Sequence, residues 1–500
     1  MKTQSFSQTM QAKVFDADAG TSVAILNETD AKELDVLALE RVELFCPRTK
    51  KKIVAIADIT KTLVHENQIG LFLGLQKELG VRPNEQIRVS TCPKPESVLF
   101  IRKKMNGNEL SPSEIKSIIS DISANRLSEI ETAAFVSAIY MRGNTLSEII
   151  STTKALVSSG EQLRFSRPPV LDKHSIGGIN GRTSMIIVPI IAAAGFLIPK
   201  TASRAITSAA GTADAMECLG RVNFSVEEFR RIVQKTNGII AWGGAIDLAP
   251  GDDKIIKIEH PLSLDPEGQV IASVMAKKKS VGAQKLVIDI PIGPYCKVTD
   301  SKKANSMAEK FRAVGKAVGI QTQVMITNGN EPVGNAIGPA LEARLALEIL
   351  ENREFDSLAK KSCQLAGRLL EMTKTAANGK GFDKAKKILE DGSALEKMKE
   401  IIKAQHGNAT ASKQVTVGKL SEDVISPKSG LIREMHLKNL IVLARTAGAP
   451  GDLSSGLVLH CHPNETIEKG DSLLTVYSSN RQKLELALQF AKENTLVTIR

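Results

Sequence analysis

The sequence predicts a multidomain α/β protein, and three observations carry that expectation. Its 500 residues exceed what one hydrophobic core supports. From Pro169 to Thr327, apolar strand-like runs alternate with helix-period segments, the pattern of a mostly parallel sheet. On both sides of that region, short alternating runs separated by turn residues indicate β-rich flanks.

Taken in order, residues 1–88 hold runs such as K-K-K-I-V-A-I-A-D-I and are expected to form an N-terminal β-rich domain. A connector over 89–104 contains T-C-P-K-P-E-S. Ser111 then supplies a helix cap, Pro112 an early proline, and Ile115, Ile118 and Ile119 an apolar stripe. That opens a small helical domain, expected over 105–168 plus 252–283. The large α/β domain is expected over 169–251 plus 284–414, with strands at Pro169–Leu171, Phe196–Thr201, Gly238–Trp242, Lys285–Ile292 and Thr322–Thr327. Sites in such sheets lie beyond the strand C-terminal ends. Residues 415–500 turn β-rich again around one helical run, an α+β domain.

Composition narrows the function classes. The longest apolar run, Met185–Pro199, contains Pro189 and Gly195 and falls short of the ~20 residues of a spanning helix, so no membrane partner is expected. The N-terminal M-K-T-Q-S-F-S-Q lacks an apolar signal core, and six scattered cysteines form no C-x-x-C pair. A cytoplasmic protein with reduced thiols is the expectation. His460-Cys461-His462 has no second thiol nearby in sequence and reads as an exposed strand end, so no metal site is assigned. A net charge of +11 suits nucleic acid or small anions; the basic triplets at Lys50–Lys52, Arg102–Lys104 and Lys277–Lys279 are short and aromatics are 4%, so anionic small molecules are favoured and the triplets read as solvated faces.

Chemistry concentrates in two motifs. Val170–Gly181 reads V-L-D-K-H-S-I-G-G-I-N-G, and Ser203–Glu217 reads S-R-A-I-T-S-A-A-G-T-A-D-A-M-E. The first sets a lysine, a histidine and a serine on a glycine-rich turn after an apolar run; the second adds hydroxyls and a glycine at the head of a helix. Glycines let backbone N–H groups approach phosphate oxygens, and a helix N-terminus adds its dipole. Neither motif is a P-loop or a dinucleotide fingerprint. Free phosphate or a sugar phosphate is therefore the expected anion.

K-H-S-x-G-G and S-R-A-I-T-S-A-A-G-T-A-D-x-M-E resemble the thymidine/pyrimidine-nucleoside phosphorylase family, with anthranilate phosphoribosyltransferase a more distant relative. The spelling is most similar to the branch containing archaeal AMP phosphorylase and the bacterial type 2 thymidine phosphorylases. The resemblance implies phosphorolysis of an N-glycosidic bond, with phosphate as substrate, no cofactor, and a homodimer formed through the helical domain. It also implies a hammerhead-like C-terminal domain, here without the M-K-M turn of biotinyl carriers. Thymidine to thymine and 2-deoxyribose 1-phosphate is the leading expectation, since abundant Ser, Gln and Asn look mesophilic. AMP to ribose 1,5-bisphosphate and free base is the alternative, and an inactive nucleotide- or RNA-binding protein is the reading from another class.

By that resemblance Lys173, Ser175, Gly177, Gly178, Ser184 and Thr212 hold phosphate, joined by Ser203, Arg204, Thr207 and Ser208 of the second motif. Ala202 stands where the family has a serine. His174 lies beside the bond to be broken. His260, Ser273 and Lys277 match a base pocket, with histidine replacing arginine; Asp265 matches a proton donor and Lys297 a ligand of a nucleotide phosphate. Asp214 and Glu217 are expected to fix the motif helix. Plainer alternatives stay open: a solvated turn lysine for Lys173, a helix cap for Ser184, a surface cap for Asp265.

Overall fold

The computed structural model describes residues 6–167, 169–177, 182–206, 208–246 and 248–500. The chain divides into two compact units, Met1–Ser159 with Ala249–Ser273, and Gly160–Leu248 with Val274–Arg500.

In the first unit, six strands close into a barrel: β1 (Ser7–Phe15), β2 (Val23–Asn27), β3 (Arg41–Cys46), β4 (Lys51–Thr60), β5 (Gln68–Phe72) and β6 (Gln86–Thr91). Their order is β1-β5-β2-β4-β3-β6, with β1–β5 and β2–β4 parallel and the other pairs antiparallel. Period-2 alternation sends Met10, Ala12, Val42, Leu44, Ile87 and Val89 into the barrel core. Closure leaves no free sheet edge.

Helices follow at Ser97–Met105, Pro112–Ser123, Glu129–Arg142, Leu146–Ser158 and Pro250–Leu262. The first occupies the second half of the expected connector, where Ile101 and Lys104 are both buried. Lys104 Nζ lies 2.7 Å from each carboxylate oxygen of Glu148. The next three helices open on reciprocal capping boxes, Ser111 with Glu114, Ser128 with Glu131 and Thr145 with Glu148.

The second unit holds the parallel sheet: β7 (Leu171–Ser175), β8 (Ile198–Ala202), β9 (Gly238–Trp242), β10 (Lys285–Ile292) and β11 (Gln321–Asn328). Strands run β11-β10-β7 and β8-β9, all parallel, with one bridge from Val170 to Leu197 joining the two sets. Helix Ser184–Ala193 is buried along its length, as its unbroken apolar sequence requires. Beyond residue 415, strands Leu420–Ile425, Gly456–Leu459 and Ser472–Ser478 form a sheet with Ala336–Ile337, flanked by helices Leu437–Ala447 and Arg481–Glu493. No helix among the described residues is long and apolar enough to cross a membrane.

Candidate active site

The K-H-S of the first motif is strand, where the sequence led us to expect a turn. Ladder pairing with β10 extends β7 that far, setting Lys173 opposite Val287, His174 opposite Ile288 and Ser175 opposite Asp289. Alternation along β7 sends Lys173 and Ser175 to one face and Asp172 and His174 to the other. Past Ser175, the Ile176 N–H still donates to the Asp289 carbonyl at 2.8 Å, and the chain then turns at Gly177, whose φ is +74°. Gly178 lies outside the described residues.

Lys173 is 4% exposed, which removes the solvated-lysine alternative. Its ammonium donates to the Thr183 hydroxyl. Burial is the largest cause pulling its pKa down to about 7; Lys361, Arg182 and Lys278 push the same way, and Asp289 opposes them. A lysine whose charge burial so disfavours is one that a neighbouring anion would stabilise. Thr183, at the cap position of helix Ser184–Ala193, makes no capping bond with its side chain. Ser184 is the first helical residue and is buried.

Ser175 donates to Asp289 Oδ2 at 2.7 Å. The same carboxylate, fully buried, accepts from Thr327 on Oδ1 at 2.6 Å and lies 3.1 Å from Lys361 Nζ on Oδ2. Asp289, Thr327 and Lys361 are absent from the set read from sequence. A visible signal existed for the first, since an aspartate inside the apolar strand L-V-I-D-I-P-I needs a buried partner.

On the opposite face, Asp172 accepts from Lys278 Nζ at 2.7 Å and lies 3.7 Å from Lys200 Nζ. Lys200 also donates to the Lys173 carbonyl at 2.9 Å. Lys278 belongs to a basic triplet expected to be solvated, and is instead buried against Asp172. Burial first, then Lys278, Lys200, Lys173 and Lys277, hold the His174 imidazole well below its usual range. His174 is therefore a neutral hydrogen-bonding group.

The second motif is held from within. Arg204, expected at the anion, commits its guanidinium to Asp214 at 3.2 Å and Glu217 at 2.8 Å and sits over the Trp242 ring. Asp214 also accepts from the N–H groups of Ala205 at 2.7 Å and Gly211 at 2.8 Å. Both acids hold the motif together, as expected from the sequence. Gly211 is required by contact: a Cβ there would stand 2.5 Å from the Ser203 carbonyl oxygen. Ser203 is exposed, Ser208 donates to the Ala210 carbonyl at 2.9 Å, and Thr212 begins helix Thr212–Glu217. Thr207 lies outside the described residues.

Lys297 is exposed, on the turn after β10, and packs over the first motif: a Cβ on Gly177 would come within 3.0 Å of its Cγ. Lys277 is half-buried in helix Glu267–Ser280. In the first unit, His260 is exposed in the last turn of its helix and Asp265 is exposed just beyond it. Ser273 donates to the buried Asp252 at 2.6 Å, which also accepts from Gln269 at 3.1 Å. Among the described residues no cluster of His, Cys, Asp or Glu could hold a metal ion.

A parallel sheet with a buried lysine at a strand end, just before a glycine bend, suits a pentosyltransferase of the nucleoside-phosphorylase type, and the family models show that class. A glycosyl transferase family helical bundle domain matches residues 98–160, the a/b domain of that family 167–395, and a pyrimidine nucleoside phosphorylase C-terminal domain 431–498. AMP phosphorylase 1 of Archaeoglobus fulgidus is 45% identical over 484 residues, covering 96% of this chain and 95% of that protein. AMP phosphorylase of Methanococcoides burtonii is 44% identical over 489 residues, covering 97% and 96%. Anthranilate phosphoribosyltransferase of Thermus thermophilus matches at TM-score 0.53 and 18% identity over 61% of this chain and 99% of that one, which speaks to the fold. The chain belongs to the nucleoside phosphorylase family, near the archaeal AMP phosphorylases.

Proposed function

We propose that the chain carries out phosphorolysis of a nucleoside 5′-monophosphate, AMP foremost, giving ribose 1,5-bisphosphate and the free base. The observation that carries this reading is Lys297 packed across Gly177. It sets an exposed cation beside the phosphate loop, within reach of a second anionic group on the substrate. The relatives at 45% and 44% identity are named AMP phosphorylases, which favours the nucleotide over thymidine. His260 in place of an arginine points the same way, because imidazole cannot make a guanidinium's forked contact with a pyrimidine.

In this reading Lys173 and the backbone at Gly177 hold inorganic phosphate, one of whose oxygens bonds to C1′ as the C1′–N bond breaks. The bond's electron pair leaves with the base, whose nitrogen takes up a proton from water. Neutral His174 offers a hydrogen bond beside the sugar without adding positive charge against the developing oxocarbenium. Phosphate enters as substrate, no metal or resident cofactor takes part, and the working assembly is a homodimer.

Lys297→Ala is expected to lower kcat/KM for AMP by roughly ten- to a hundredfold, the effect of losing one charge-assisted contact, and to leave adenosine unchanged. Equal losses on both, or thymidine turned over better than AMP by the unaltered protein, would sink this reading.

A further inference from the structure

We infer that Asp289 makes Ser175 a hydrogen-bond acceptor toward the pocket, so that the site selects hydrogen phosphate over sulfate, a dianion of the same shape without a hydrogen. The inference rests on reading the pocket as a phosphate site.

A serine hydroxyl has one hydrogen and two lone pairs. In Ser175 that hydrogen goes to Asp289 Oδ2, 2.7 Å away. Turning it outward would leave two oxygens facing each other at that distance with no hydrogen between them. Asp289 cannot swing aside to relieve the clash. Its Oδ1 is held by Thr327 at 2.6 Å and its Oδ2 by Lys361 at 3.1 Å, and Lys361 bonds the Thr327 hydroxyl at 3.1 Å. The carboxylate is fully buried at the register position directly opposite Ser175, so strand pairing fixes the pair as firmly as the side chains do. Whatever approaches Ser175 Oγ from the pocket must therefore give a hydrogen bond.

Hydrogen phosphate can do so through its P–O–H. Its unprotonated oxygens are then left for Lys173, which only donates, and for attack on C1′. Sulfate matches the charge and the tetrahedron but would set a bare oxygen against the Ser175 lone pairs, so charge complementarity cannot tell the two anions apart and the hydrogen can. Asp289 acts through Ser175 and is a positioning residue.

Calorimetric titration of the full-length protein with phosphate and with sulfate, at a pH where phosphate is the hydrogen-bearing dianion, tests this without any nucleotide. The unaltered protein is expected to bind phosphate at least about tenfold more tightly, the effect of one mispaired hydrogen bond. In Asp289→Asn the amide can donate to Ser175 and turn its hydroxyl outward, and the ratio should fall toward one. Ser175→Ala leaves Asp289, Thr327 and Lys361 paired, so it guards against a folding defect; there phosphate should weaken while sulfate holds or tightens. Phosphate and sulfate bound alike by the unaltered protein, or weakened alike by Ser175→Ala, overturns the relay and leaves the pocket standing. If neither anion binds, the phosphate-site reading fails and the relay with it.

Discussion

Lys173 shows how one residue carries a measurable signature of the reaction. Burial takes its pKa from 10.5 down to about 7. Between those values the unfolded chain holds a proton that the folded chain lacks, so this lysine's contribution to stability rises with pH across the window, and its burial cost is fully present below about 7. A bound phosphate dianion reverses the preference by favouring the ammonium. Above phosphate's own second ionisation, binding should therefore take up close to one proton, seen as a binding enthalpy that varies with the buffer's ionisation enthalpy. Lys173→Met should bind phosphate more weakly and with no such dependence; uptake that persists in the variant would mean another group carries it. The lysine itself is legible in K-H-S-x-G-G. Its surroundings are not: the Ser175–Asp289 bond spans 114 positions and the Lys278–Asp172 bond 106. No local pattern gives a strand register at that range, and for the same reason lysines that look like solvated triplets prove to be buried halves of ion pairs.

At the scale of elements, apolar runs punctuated by glycine serve well. Gly238–Trp242 and Lys285–Ile292 coincide with the strands expected from sequence, because each is a mainly apolar run bounded by turn residues, the second interrupted by Asp289. The last residues of β7 read as a turn because they are polar, and polarity at a sheet's C-terminal edge marks a site as readily as a turn; pairing with β10 is what extends the strand. Helix Ser97–Met105 hides in a segment that opens with two prolines, Pro93 and Pro95, and ends in basic residues. The loop that leaves β7 is the element most exposed to a single substitution. With φ at +74°, Gly177 has a conformation that costs an L-residue roughly 1–2 kcal/mol, and an added methyl would press on Lys297 Cγ at 3.0 Å. Gly177→Ala is accordingly expected to lower the Tm by a few degrees and to depress kcat/KM for AMP more than for adenosine. Equal depression of both substrates would separate the loop from Lys297.

For the molecule as a whole, a net charge of +11 acts beyond any pocket. A field of that sign raises the local concentration of anions and their encounter rate, and at 0.1 M salt it is screened beyond about 10 Å. Buried partners such as Lys173 and Asp289 are shielded from that screening, so salt separates long-range attraction from local chemistry. A nucleotide feels the field and its parent nucleoside does not, while both reactions share the same phosphate co-substrate. Raising potassium chloride at fixed, saturating phosphate should therefore lower kcat/KM for AMP several-fold and leave the adenosine value nearly level. Chloride is the appropriate salt, since sulfate would add competition within the anion pocket. Lys297→Ala should shift the AMP curve down without flattening it, because one exposed lysine is a small part of the total charge. A flat AMP curve in the unaltered protein would mean that the positive surface plays no part in gathering the substrate; a curve flattened by Lys297→Ala alone would place the whole effect at that lysine.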